Sequence, residues 1–96
     1  MIPAAILPLI RRAILDLLHD VGGEQNDDYI AILLSELGHR IARRDIVAQL
    51  HWLAEEKLIE AEALGPYTVA RILSDGRDAA DGKLLVEGVW RHKTGD

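Results

Sequence analysis

Four side chains within residues 40–49 have the chemistry to hold a nucleic acid: Arg40, Arg43, Arg44 and Gln49. A guanidinium pairs in bidentate fashion with phosphate or with the O6/N7 edge of guanine, and a glutamine amide can face adenine N6/N7. Arg43 and Arg44 fall at the predicted start of a helix, where the helix dipole disfavours cations. Their placement therefore asks for a reason outside the helix. Charge along the chain points the same way. Residues 39–52 carry a net +2, against −4 before them and −3 after them, in a chain of net −5. Arg71, on a later predicted strand, is a supporting cation. The opposing signal is acidic. Glu60 and Glu62 share one face of the preceding strand, and the Gly65-Pro66 turn carries no Lys or Arg. Carboxylates near a phosphate backbone weaken binding and make it strongly salt-dependent.

No other grouping points to chemistry. There is no cysteine, which excludes disulfides, thiol catalysis and cysteine-bound metals. His19, His39, His51 and His92 have no metal-ligand spacing, so no metal is expected. The two serines, Ser35 and Ser74, read as surface or cap residues, and the carboxylates are dispersed. Neither catalysis nor a cofactor is expected.

The elements that must position the arginines follow from periodicity. The 96 residues suggest one domain, with a core of Leu, Ile, Val and Ala because Phe is absent. Leu9, Ile10, Ala13, Ile14, Leu17, Leu18 and Val21 repeat at helical spacing, predicting a helix over 8–21 that ends at Gly22-Gly23. Residues 1–7 are an apolar arm or an extra turn. Asn26 predicts the N-cap of a second helix whose buried face is Tyr29, Ile30, Leu33, Leu34 and Leu37, stopped by Gly38. A third helix is predicted over 43–56, with Ile46, Leu50 and Leu53 inward and Arg43, Arg44, Ala48, Gln49, His51 and Trp52 on its sides and outer face. Ala42 cannot complete a capping box with Asp45. Trp52 reads as filler between this helix and a two-stranded hairpin of 58–63 and 67–73. Ser74 is predicted to cap a short helix through Asp81. Residues 83–96 have no period but are too apolar for a solvated linker. Val86, Val89 and Trp90 read equally as a dimer or partner hook and as a segment docked on the first helix.

The fold class is thus mainly α with a small hairpin, a helix-turn-helix with a wing. Its second helix is of the kind that enters a DNA major groove. The run Leu50-His51-Trp52-Leu53-Ala54-Glu55-Glu56-Lys57-Leu58-Ile59 resembles winged-helix regulators of the MarR and ArsR type. Lys57 stands where they usually have glycine, and Ala42 where serine often opens the recognition helix. The metal-binding cysteines of ArsR-type sensors have no counterpart.

Gly38-His39-Arg40-Ile41, Trp52-Leu53-Ala54-Glu55, Val69-Ala70-Arg71-Ile72-Leu73, Gly76 to Gly82 and Val86-Glu87-Gly88-Val89 together resemble small winged-helix proteins of Mu-like phages and prophages, over residues 9–92. That resemblance implies a phage protein whose genes lie among head and packaging genes.

Two functions are then expected. One is a homodimeric double-stranded DNA binder, a transcriptional regulator or DNA-handling accessory, using Arg40, Arg43, Arg44, Gln49 and Arg71. The other is a protein-interaction module in phage assembly or packaging, using the apolar ends. The N-terminal apolar run lacks a preceding basic region, and prolines interrupt it. It predicts neither a signal peptide nor a membrane span, and places the chain in the bacterial host cytoplasm.

Overall fold

The apolar repeat near the N-terminus forms a helix. In the computed structural model, which describes residues 2–92, helix α1 spans Leu7–Val21 and follows a 3-10 turn at Ala4–Ile6. The arm is therefore an extra turn running into the helix. Met1 and residues 93–96 of the expected tail lie outside the described residues. Pro8 is tolerated because it lies in the first turn, where its missing N–H has no helical partner.

Strand β1 is Gln25–Asn26, helix α2 is Asp27–Glu36 and helix α3 is Arg43–Glu55. Asn26 caps α2 as expected, its Oδ1 accepting the Tyr29 N–H at 2.8 Å. The α2 end is closed by the His39 N–H to Leu34 carbonyl bond, with Gly38 at φ 93°, a conformation glycine reaches without a Cβ penalty. Helix α3 starts after Ala42, which makes no side-chain cap bond. Its far end closes in the same manner, Leu58 N–H to Leu53 carbonyl, but with Lys57 at φ 64°. Here a lysine occupies the left-handed position that the resemblance would give to glycine.

Strands β2 (Ile59–Leu64) and β3 (Tyr67–Ile72) form the hairpin, Leu64 pairing with Tyr67 around Gly65-Pro66. The sheet has a third member. β1 pairs antiparallel with β3, giving the order β1-β3-β2, with Gln25 opposite Ala70 and Asn26 opposite Val69. A strand this short has no alternation to read, so the sequence suggests a hairpin alone. Helix α4 spans Ser74–Ala80 with Leu73 at its N-cap. Ser74 is thus its first residue and makes no cap bond, contrary to the expected capping role.

The core is one cluster, in which Ile14, Leu15, Leu18, Ile30, Leu34, Ile46, Leu50 and Leu53 are fully buried. Burying each such side chain contributes roughly 1.5–3 kcal/mol. The inward face of α3 is as expected, but that of α2 is narrower. Ile30 and Leu34 are buried, Leu33 is half-buried, and Tyr29 and Leu37 are exposed. Val21, counted with the α1 stripe, is exposed too. Apolar residues occupy two sides of α2 and the chain covers one of them.

No helix among the described residues is long and apolar enough to cross a membrane.

Candidate functional site

The α2–α3 connection places Arg40, Arg43 and Arg44 at the start of α3, and two of the four predicted arginines, Arg43 and Arg71, are already paired within the chain. Asp27, the first residue of α2, is 1% exposed. Its Oδ1 accepts the Asp28 N–H, and its Oδ2 accepts Nε–H of Arg43 at 2.8 Å. Asp28 lies 4.0 Å from the same nitrogen. The Arg43 guanidinium also donates to the Pro66 carbonyl at the hairpin turn and sits 5.2 Å over the Tyr67 ring. Its pKa is raised, first by the hydrogen bond to Asp27, with burial opposing. Arg43 is thus a brace linking the start of α2, the start of α3 and the hairpin turn.

Arg71 is held likewise. Its Nη2 pairs with Glu60 Oε1 across the β2–β3 register, where the two residues are direct partners. That hydrogen bond is the main cause of its raised pKa. Glu24, Glu60, Glu62 and Arg71 line the open face of the sheet, leaving it acidic in balance.

Gln49 departs furthest from expectation. It is 8% exposed rather than on an outer face, and its Oε1 accepts Nε–H of Arg11 at 2.9 Å. Arg11 stacks 3.8 Å from the Trp52 ring centroid and donates to the Gly88 carbonyl at 3.1 Å. Burial lowers its pKa, with Glu56 opposing. Trp52, on α3, is thus covered by Arg11 of α1 and by Gly88 of the C-terminal segment. Arg40 and Arg44 keep exposed side chains. The structure brings Arg43 and Arg44 to one groove, lined also by Asp27, Val47 and Pro66. Gln49 and Arg71 are absent from that groove's lining.

Val86 and Val89 pack against the core, so the C-terminal segment is docked on its own chain. Trp90 N–H donates to the Pro8 carbonyl at 3.0 Å, while the indole stays 48% exposed. Arg12, itself buried, fastens this segment and α4 to α1. It donates to the carbonyls of Ala79, Ala80 and Trp90 at 3.0, 2.7 and 3.4 Å. Its Nε lies 3.1 Å from Asp16 Oδ1, an ion pair without hydrogen-bond alignment. Gly88, at φ 93°, presses so close to Trp52 that a Cβ there would sit 2.7 Å from the indole ring. Among the described residues, no group of three His, Cys, Asp or Glu is arranged to hold a metal ion.

Arg11 and Asp27 are the determining residues that the sequence pattern passes over. A signal for Arg12 does exist, since its spacing to Asp16 is that of a helical ion pair. Asp27 reads locally only as a carboxylate suited to a helix N-terminus, and nothing local points to the partners of Arg11 and Asp27, which lie 38 and 16 residues away.

No protein-family model matches the chain. It is similar to the "Uncharacterized protein gp26" of Escherichia phage Mu, at 36% identity over 81 residues, which span 84% of each chain.

Proposed function

The chain belongs to the family of gp26 of phage Mu, and we propose that it serves a Mu-like phage as a winged-helix protein-binding module rather than as a reader of DNA bases. The order α1-β1-α2-α3-β2-β3, with β1 against β3, supports the winged-helix architecture. Such a scaffold carries many functions, so the reading rests on the site. One observation carries it: three of the five side chains that would meet DNA are already engaged within the chain. Arg43 is bound to Asp27, Arg71 to Glu60, and Gln49 to Arg11. A binder gains affinity by neutralising phosphates and releasing counterions. Arginines already paired to carboxylates must break those pairs first, and Glu60 and Glu62 would repel the backbone.

A second reading keeps DNA as partner, for a regulator or DNA-handling accessory, and Arg40 and Arg44 favour it because both are exposed at the start of α3. Two phosphate contacts would give only weak, non-selective binding. The experiment is a titration of fluorescent duplex DNA with the wild type and with an R40A/R44A variant. The expected result is a wild-type Kd no tighter than the roughly 10⁻⁴–10⁻⁶ M of non-specific association. A sequence-selective Kd of about 10⁻⁸ M or tighter, lost in R40A/R44A, would overturn it.

A further inference from the structure

We propose that the groove between α3 and the hairpin turn takes an acidic, partly apolar segment of another protein. This rests on the protein-binding reading above and gives that reading its surface and partner class. Arg43, Arg44 and Val47 of α3 line one side of the groove, Pro66 and Thr68 of the hairpin line the other, and Asp27 completes it. Arg43 ties the two sides together, since its guanidinium is bonded both to Asp27 and to the Pro66 carbonyl. Leu64 and Tyr67 flank the turn at 48% and 39% exposure, and Val47 is half-buried. Uncovered apolar side chains beside charged ones are the usual mark of an interaction site.

Charge selects the occupant. Asp27 is already taken by Arg43, and Asp28 lies 4.0 Å from the same arginine. Among the described residues, no carboxylate holds Arg44 or Arg40, which lies four residues before it, and both side chains are exposed. Asp45 follows Arg44 along α3 but is absent from the groove's lining. Glu24, Glu60 and Glu62 line the open face of the sheet instead, so they border the basic area without entering the groove. A duplex laid along this surface brings a long row of phosphates against those carboxylates, whereas a short acidic segment has no such reach. Phosphates also offer nothing to Val47, Pro66, Leu64 and Tyr67, which an apolar side chain of a protein segment can cover. A carboxylate meets Arg44 as a charge-assisted pair, and complementary charge favours encounter and disfavours wrong partners.

The test uses the full chain and a fluorescent synthetic peptide of glutamate and leucine, read by anisotropy at two salt concentrations, beside an all-glutamate peptide. The glutamate–leucine peptide is expected to bind, more weakly at high salt. The all-glutamate peptide is expected to bind at least about tenfold more weakly, because it covers no apolar surface. Arg44→Glu puts an acid in the first turn of α3, where the helix dipole favours it, so the fold is kept. It is expected to weaken binding by at least about tenfold, through loss of a charge-assisted pair. Arg77→Glu changes an exposed arginine on α4 and is expected to leave binding unchanged. Absence of glutamate–leucine binding overturns the proposal, as does equal binding of the all-glutamate peptide or an equal loss in Arg77→Glu. Each of these results leaves the protein-binding reading standing. Duplex DNA bound at about 10⁻⁸ M or tighter, and released by Arg44→Glu, overturns both. A dimer seen by light scattering that Arg44→Glu dissolves assigns the groove to a second copy and overturns the proposal alone.

Discussion

Replacing Asp27 by Asn tests whether internal pairing silences the basic end of α3. The substitution keeps the shape and an oxygen for the Asp28 N–H, but turns an NH2 group toward the Arg43 guanidinium. The site is almost fully buried, so the amide donor has no water to turn to. An unsatisfied buried donor costs about 1–3 kcal/mol. Losing a carboxylate at a helix N-terminus costs a further ~0.3–1 kcal/mol. A 96-residue domain has roughly 5–14 kcal/mol of stability in total, so the fold should survive. The melting temperature is expected to fall by roughly 5–30 °C, at about 4–8 °C per kcal/mol for a domain of this size. At the same time Arg43 loses its counter-charge. Duplex DNA binding should strengthen, and the slope of log K against log salt should steepen by about 0.9 for one additional phosphate contact. The assays are a thermal melt by circular dichroism and a fluorescence titration at several salt concentrations. An unchanged melting temperature together with an unchanged salt slope would refute the argument, because Asp27 would then be neither a structural partner nor a brake on Arg43.

Three further outcomes follow from close contacts and backbone conformation. Gly76→Ala would place a Cβ 2.1 Å from the Leu58 carbonyl oxygen, where α4 meets the start of β2, and should destabilise by ~3 kcal/mol or more in chemical denaturation. Gly88→Ala combines a left-handed φ, worth about 1–2 kcal/mol, with a clash on the Trp52 ring. It is expected to free the C-terminal segment locally, seen as faster hydrogen exchange at Trp90 with the core still protected. Lys57→Gly removes the left-handed penalty but adds freedom to the unfolded chain, so the expected gain is small, below about 1 kcal/mol in denaturant melts.

How far the sequence reveals this molecule depends on the range of the interactions involved. Helix positions, the Asn26 cap, the Gly38 stop and the hairpin are local, and spacing or one residue's conformational preference specifies them. Ala42 signals an uncapped start of α3 for the same reason. β1 escapes because two residues show no periodicity and it exists through pairing with β3. Gln49 is misplaced by its own helix, since the wheel of α3 cannot show that Arg11 and the segment at Gly88 cover that side. Val21, Tyr29 and Leu37 are the reverse case. They satisfy the apolar pattern of a buried face, but no element among the described residues covers them. The charge map has the same limit. Net charge along the sequence shows a basic island at 39–52, whereas the fold brings Asp27 and Asp28 to it from the preceding helix.

The most direct test of the central claim, that Arg43 and Arg71 are held by carboxylates of their own chain, is the salt dependence of wild-type binding to duplex DNA. With Arg40 and Arg44 as its phosphate contacts, the slope of log K against log salt is expected to be no steeper than about −1.8. A slope of about −3.6 or steeper, the value for four phosphates, would mean that Arg43 and Arg71 leave their carboxylates for DNA, and would contradict the account.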